Sequence, residues 1–269
     1  MILTSLMDDY CPRRGLVGEH GLSFLVEAGG RRILFDAGQD GAFMQNAEAL
    51  GIDLAGLDAL VLSHGHYDHG GGLGALCAAL PDRPPLYAGR GFDLPRRAAD
   101  PSGSVDIGLA GFASLGLEAR IVEGKTELAP GLFILPRAAI VDGLRPNPRF
   151  RVLEGGKERL DEFEDELALV SDEAEGLVVV TGCAHRGIAN IARAALAAFP
   201  GRPLAALIGG FHLVGAPPAA RAALARDLAS LGPGRIYCSH CSAPEGYAAL
   251  LAEFGDRASW LSGGMRIQL

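Results

Sequence analysis

Over the N-terminal stretch, apolar and polar positions alternate with a period of two, the signature of half-buried strands. "MILTSLM" reads as one strand, and "LSFLVEA" and "RRILFDAG", divided by Gly29-Gly30, read as a β-hairpin. The period then lengthens, and "GAFMQNAEALGI" carries its apolar residues at helical intervals. "DALVLSH", residues 58–64, is a short apolar run that predicts a buried strand ending at a histidine. After Gly70-Gly71-Gly72, a tight turn, "LGALCAAL" predicts a helix stopped by Pro81.

The middle of the chain is less regular. "EARIVEG" and "GLFILP" predict strands, whereas residues 93–108 carry no clear period. Residues 145–159, "RPNPRFRVLEGGKER", read as a loop or lid, an insertion around 143–160. "ELALVSDEAEGLVVVTG" reads as two strands about an acidic turn. Strands and helices then alternate through "IANIARAALAAF", "PLAALIGG", "PPAARAALARDLASL", "RIYCS" and "PEGYAALLAEF", before the strands "ASWLS" and "MRIQL". Both halves begin with strands and pass into strand–helix alternation. That rhythm predicts one domain over residues 1–269 of class α+β: an αββα sandwich of two mixed β-sheets with helices on the outer faces.

Composition narrows the class of function. A chain of 269 residues, 49% hydrophobic, can bury a substantial core. A net charge of −8 argues against a general nucleic-acid surface or an acidic membrane surface as partner. No apolar run approaches the ~20 residues of a membrane helix, and the N-terminus lacks a signal-peptide pattern. Five scattered cysteines suit a reducing compartment better than a disulfide framework. The expectation is a cytoplasmic protein that binds a small molecule, with neither nucleic acid nor membrane as partner.

The chemistry concentrates in "LSHGHYDHGGGL", residues 62–73. It holds His64, His66, Asp68 and His69, although the chain has only 7 histidines. At a strand end, residues two apart project the same way, so His64 and His66 are placed to share a cation. The following glycine-rich turn would carry Asp68 and His69 to a second position nearby. Imidazole with carboxylate suits zinc above iron or manganese. Two divalent metal ions ~3.5–4 Å apart would activate a water and stabilise a leaving oxygen.

Four motifs follow one another in a telling order: "LFDAG" with Asp36, "SHGHYDH", "TGCAH" with His185, and "YCSHC" with His240. Across nearly the whole chain they resemble the metallo-β-lactamase fold superfamily of metal-dependent hydrolases. The resemblance implies two metal ions, the first on His64, His66 and His185 and the second on Asp68, His69 and His240, with Asp36 supporting the metal loop. It also implies a bridging carboxylate between the last two histidines, and here the sequence departs. From Arg186 to Ser239 the only acidic residue is Asp227, inside a predicted helix. At the expected strand end stands His212, in "IGGFHL". Either His212 takes that place, or solvent and substrate bridge the metals.

A narrower set of runs, "GEHGLSFLVE", "FEDELALV", "TGCAHRGIANI", "IGGFHL" and "SHCS", resembles the branch typified by 7,8-dihydropterin-6-methyl-4-(β-D-ribofuranosyl)aminobenzene-5′-phosphate synthase. Arg186 stands where that branch has Pro, and Ser239-His240-Cys241-Ser242-Ala243 where it has Thr-His-Cys-Thr-Gly. The leading expectation is a dinuclear hydrolase of a small anionic substrate, phosphoester- or pterin-like, with Asp68 or His212 handling the proton. The alternatives are a pterin-forming condensing synthase and a non-catalytic metal-dependent sensor.

Several further residues carry sharper and blander readings side by side. Arg186 opens a predicted helix whose free N–H groups would attract a phosphate or carboxylate. Asp165 and Glu166 either orient a ligand histidine, supply the missing carboxylate, or belong to an acidic surface run. Glu19 and His20 follow the first strand towards the cleft edge, where His20 would contact substrate or donate a proton. Arg145, Arg149 and Arg151 form a local basic cluster suited to a substrate phosphate. Cys183, Cys238 and Cys241 read as buried inert thiols, because a structural zinc site needs a fourth ligand at suitable spacing.

Overall fold

The computed structural model describes residues 1–80, 82–100, 103–109, 111–141 and 147–269. Its centre is a pair of seven-stranded sheets. Edge to edge, the first runs Arg266–Gln268, Ile2–Met7, Ser23–Ala28, Arg31–Phe35, Ala59–Val61, Leu86–Ala88 and Ala119–Ile121. The second runs Ala258–Trp260, Arg235–Ser239, Leu204–Gly210, Gly176–Thr181, Leu167–Glu173, Leu132–Pro136 and Thr126–Ala129. Each is antiparallel on one side and parallel on the other. The change falls at Arg31–Phe35 in the first and at Gly176–Thr181 in the second.

Strand alternation builds the layers. In Gly176–Thr181, Val178 and Val180 enter the core shared with Phe24, Val26 and Ile33 of the other sheet. The intervening Leu177 and Val179 face the opposite way, into the core formed with Ile188–Ala198, Pro218–Leu231 and Ala243–Phe254. With both faces covered, such a strand reads as a continuous apolar run. Helix Ile188–Ala198 buries Ile188, Ile191, Ala192 and Ala195, one stripe at helical spacing. On the other flank Leu25, Leu34 and Leu60 pack with Phe43 and Leu76 from helices Ala42–Ala49 and Leu73–Ala79. At about 1.5–3 kcal/mol for each fully buried aliphatic or aromatic side chain, these three cores dominate the stability. The order helix, sheet, sheet, helix is the αββα sandwich.

Two stretches differ from the sequence-based expectation. Residues 93–108 and 145–159 contribute to a third, four-stranded antiparallel sheet: Lys157–Leu160, Phe150–Glu154, Arg96–Asp100 and Gly103–Asp106. The first stretch shows no period and the second reads as loop because the strands are short and mostly exposed. Among the described residues, Ala98, Phe150 and Phe163 form a small buried apolar cluster there. Pro81, Arg145 and the start of the 143–160 insertion lie outside the described residues. Among the described residues, no helix is long and apolar enough to cross a membrane.

A candidate metal centre

The parallel strands deliver their chemistry at their C-terminal ends. Asp36 follows Arg31–Phe35, His64 follows Ala59–Val61, His185 follows Gly176–Thr181, His212 follows Leu204–Gly210, and His240 follows Arg235–Ser239. All but His240, which opens the short 3₁₀ turn His240–Ser242, are on loops, and the backbones here are unusual. Among the described residues, those other than glycine with positive φ are Asp36, Phe163, Ala184, His212, His240 and Ala243, every one at or beside this centre. Such conformations cost of order 1–3 kcal/mol each and persist only where surrounding contacts over-determine them.

The histidines meet in two groups. The rings of His64 and His66 lie 4.5 Å apart, and those of His185 lie 4.8 and 5.0 Å from them. The predicted strand stops at Val61, so His64 and His66 meet through a bend and not as alternate strand residues. Asp68 and His69 sit on the single-turn helix Tyr67–Gly70. The His69 ring lies 5.2 Å from that of His240, and Asp68 Oδ2 lies 3.3 Å from His240 Nε2. The two groups touch, with the His64 and His69 rings 4.2 Å apart.

A layer of carboxylates holds these rings. Asp36 accepts from the Ser63 N–H and hydroxyl, each at 2.7 Å, and from His69 Nδ1 at 2.6 Å. Ser63 Oγ in turn accepts from His64 Nδ1 at 2.9 Å. Each bond fixes a tautomer and leaves the Nε2 lone pair facing the centre. Asp9 accepts from His240 Nδ1 at 2.5 Å and from His20 Nδ1 at 2.9 Å, while Asp8 accepts from the His240 N–H at 2.7 Å. Asp8 and Asp9 end the first strand, as Asp36 ends the third. The acid pair in "LMDDY" is the sequence signal that would have found them.

Asp165 and Glu166 brace the ligand loops through backbone. Asp165 accepts from the Gly65 N–H at 2.7 Å and pairs with the buried Arg96 at 2.9 Å. Glu166 clamps the N–H groups of His185 and Arg186, at 2.5 and 3.0 Å. Glu166 is fully committed there and does not bridge the histidine groups. Arg186 is buried and donates to the carbonyls of Ala138 and Glu162, so it is not an anion site on the cleft. Glu19 accepts from the Gln39 N–H and braces that loop. Cys238 is buried behind the centre, its thiol pushed up to about 12 by burial. Cys183 is not in an inert position: its Sγ lies 3.1 Å from His69 Nε2, inside the histidine cluster.

The electrostatics divide the groups. Burial, reinforced by neighbouring imidazoles, holds His64 and His185 well below the ordinary histidine range, and burial does the same to His66. These rings are neutral, as a metal ligand must be. Burial would raise the Asp68 carboxyl, but His69 and His240 outweigh it and hold it well below the usual range. Burial would likewise lower His240, yet the Asp68 and Asp9 carboxylates hold it well above. The side-chain nitrogens His64 Nε2, His66 Nε2, both of His185 and His212 Nδ1 are buried without a hydrogen-bond partner, whereas His240 Nε2 faces Asp68 Oδ2 at 3.3 Å. Buried nitrogens left unpaired are costly, and a divalent cation would satisfy one nitrogen on each ring. The donor set therefore fits a metal.

Over this centre opens a cavity of about 650 Å³. Its floor is His66, Asp68, His185 and His240, and its walls include Tyr10, Tyr67, Phe150, Tyr247 and Trp260. His20 stands at the edge, 4.8 Å ring to ring from His240 and 3.3 Å from Asp68 Oδ2. Arg149 also lines the cleft, its guanidinium 4.8 Å over the Phe150 ring. His212 faces the same space, its ring 4.4 Å from that of His185.

An αββα sandwich with unpaired histidine nitrogens gathered at its sheet ends is a metal-binding protein of metallohydrolase architecture. The chain belongs to the metallo-β-lactamase superfamily, whose family model matches residues 16–240. It is 29% identical over 264 residues to the 7,8-dihydropterin-6-methyl-4-(β-D-ribofuranosyl)-aminobenzene-5′-phosphate synthase of Methanocaldococcus jannaschii, covering 93% of this chain and 90% of that one. Among solved structures it is similar to Tm1679, described as a metal-dependent hydrolase of the β-lactamase superfamily, with TM-score 0.89 and 30% identity over 100% of this chain and 99% of that one. Zn²⁺-bound PqqB from Methylobacterium extorquens shares the fold at TM-score 0.62 and 15% identity, over 100% of both chains.

Proposed function

We propose that this protein is a dinuclear metal-dependent hydrolase of a small anionic substrate that carries a planar aromatic group. The observation that carries the reading is the set of unpartnered His nitrogens opening into an aromatic-walled cleft. His64, His66 and His185 would hold one ion, and Asp68, His69 and His240 the other, with zinc favoured by the imidazole-rich set. Ions bound there would supply Lewis acidity and a water acidified to a pKa near ~7.

The chain's own residues would do the rest. Tyr67, Tyr247 and Trp260 offer ring faces for stacking a flat heterocycle or arene. Arg149 offers a guanidinium fork for a phosphate or carboxylate. His20 donates through Nδ1 to Asp9, and that bond raises its pKa. It thereby keeps a proton at Nε2, beside Asp68, for release to a leaving group. His212 Nδ1, unpaired at the cleft wall, is a second station for the proton.

The first test is metal analysis of protein purified without added metal, followed by turnover of a phosphoester panel. About two equivalents per chain, lost in His64→Ala together with turnover, is the expected result. Fewer than about one equivalent, with His64→Ala unchanged, would sink the proposal.

A condensing synthase is the second reading. The near full-length similarity to the methanogen enzyme favours it, as does an aromatic cleft roomy enough for two rings. A dihydropterin diphosphate offered with and without an aminobenzene acceptor separates the two. Diphosphate release that needs the acceptor marks a synthase, and release without it marks a hydrolase.

A further inference from the structure

We propose that Cys183 is a metal ligand of this centre: a thiolate that bridges the two histidine groups and takes the place of the absent bridging carboxylate. The inference rests on the dinuclear reading above. Its evidence is the place of one sulfur. The Sγ of Cys183 groups with the donor atoms of His64 and His185, all within 4.8 Å of one another. The same Sγ groups within the same limit with those of His69 and His240. Among the described residues no other donor belongs to both sets.

Independent observations aim lone pairs at that sulfur's surroundings. His69 donates through Nδ1 to Asp36, so its Nε2 is an acceptor, and it points at Sγ from 3.1 Å. His64 Nε2 and both His185 nitrogens are buried and unpartnered beside it. Without a cation the thiol donates its proton to His69 Nε2. On ligation the S–H bond breaks, the proton leaves to solvent, and the sulfur lone pairs form two metal bonds. One negative charge then sits where a bridging carboxylate would put one.

Local geometry is built for this position. Cys183 ends the turn after Gly176–Thr181, and Ala184, at φ 54°, turns the chain so that Cys183 and His185 both face the centre. A Cβ at Gly182 would lie 2.1 Å from Ser63 Oγ, so the strand end approaches the His64 loop as closely as only glycine permits. Asp36, Asp165 and Glu166 do not compete for the place, each being held by backbone N–H groups or by His69 and Arg96, and Asp68 faces His240 and His20 instead, its Oδ2 3.3 Å from each. A sulfur bridge would make the site softer than one built on oxygen, favouring zinc or cobalt over manganese or magnesium.

Cobalt(II) loading of the purified chain tests this without reference to activity. The wild type is expected to bind about two equivalents and to show a sulfur-to-cobalt charge-transfer band in the near ultraviolet. Cys183→Ser should lose the band and bind at least one ion about tenfold or more weakly, whereas Cys241→Ser should keep it. Cys183→Asp should restore two tight sites with no band. Two equivalents in the wild type without a band would overturn the thiolate bridge and leave the dinuclear reading standing. A band lost in Cys241→Ser but kept in Cys183→Ser would overturn the assignment to Cys183. No tight cobalt in the wild type would overturn the dinuclear reading, and the bridge with it.

Discussion

Asp36 Oδ2 and His69 Nδ1 lie 2.6 Å apart, both side chains fully buried, and that single bond ties the end of one strand to the metal-binding turn. Asp36 carries two further donors from Ser63 and holds a backbone φ of 61°. Asn tolerates that conformation, so Asp36→Asn removes charge without forcing the chain. Its amide nitrogen would meet a donor where Asp36 offers an acceptor. Metal affinity should fall about 10–100-fold, and the metal-free fold should lose about 1–3 kcal/mol. Competition with a chelator and thermal unfolding measure the two effects. Unchanged affinity would remove Asp36 from ligand positioning.

The Gly70-Gly71-Gly72 run is needed for close approach more than for turn conformation. Gly71 and Gly72 have ordinary helical φ of −62° and −74°. A Cβ on Gly71 would meet Gln39 O at 2.0 Å, and one on Gly72 would meet Ala37 O at 2.0 Å. Backbone cannot yield as a side chain does, so Gly71→Ala should destabilise by about 1–3 kcal/mol or more and loosen the Asp68–His69 turn. Gly74, in the next helix, has ordinary room, with Leu115 at 3.5 Å. Gly74→Ala should be neutral or gain about 0.5–1 kcal/mol from helix propensity. Paired urea titrations decide, and equal effects of the two substitutions would refute the close-approach reading.

Much of the sandwich was legible because strand alternation and helical stripes are local signals. Val178 and Val180 against Leu177 and Val179 show both faces of a buried strand in one short run. The HxHxDH cluster was legible because four ligand-type residues in six have no bland reading. The third sheet was not, since its strands are short and bury few apolar side chains, and its two hairpins are joined by a pairing across a long stretch of chain. Asp8 and Asp9 carry no pairing signal in sequence, because only the tertiary fold brings them 232 and 231 residues along the chain to His240. Cys183 reads as a small hydrophobe in sequence, and its place between two histidine groups exists only in three dimensions. Arg186 misled for the converse reason: a cation at a helix start looks solvent-facing, but the Ala138 and Glu162 carbonyls bury it.

Glu166 should make stability depend on pH in a defined sense. Full burial outweighs the two N–H donors and pushes its carboxyl up to about 8, from an ordinary 4.5. Between those values the folded state binds a proton that the unfolded state has released. Its contribution is therefore fully present below about pH 4.5, declines as pH rises towards about 8, and is flat above. Glu166→Gln cannot titrate, so the gap in unfolding free energy between wild type and variant should narrow across that window. Urea titrations of metal-free protein at several pH values measure it. A gap that stays constant or widens with pH would contradict the raised carboxyl.

Arg149 should set substrate choice without entering the chemistry. Among the described residues lining the cleft it is the only lysine or arginine, and the Phe150 ring beneath it limits where the guanidinium points. A charge-assisted hydrogen bond contributes about 1.5–3 kcal/mol, so Arg149→Ala should raise KM for a phosphorylated substrate about tenfold or more. Because the contact is made equally in ground and transition states, kcat should change little. Arg149→Lys should recover part of the loss, since it restores charge but not the fork. A neutral analogue of the same aromatic substrate should be indifferent to all three side chains, and raised salt should erode the advantage of wild type over Arg149→Ala, the guanidinium being exposed at the cleft edge. Steady-state kinetics on the matched pair of substrates checks each point. A fall in kcat with unchanged KM would instead place Arg149 at the reacting centre.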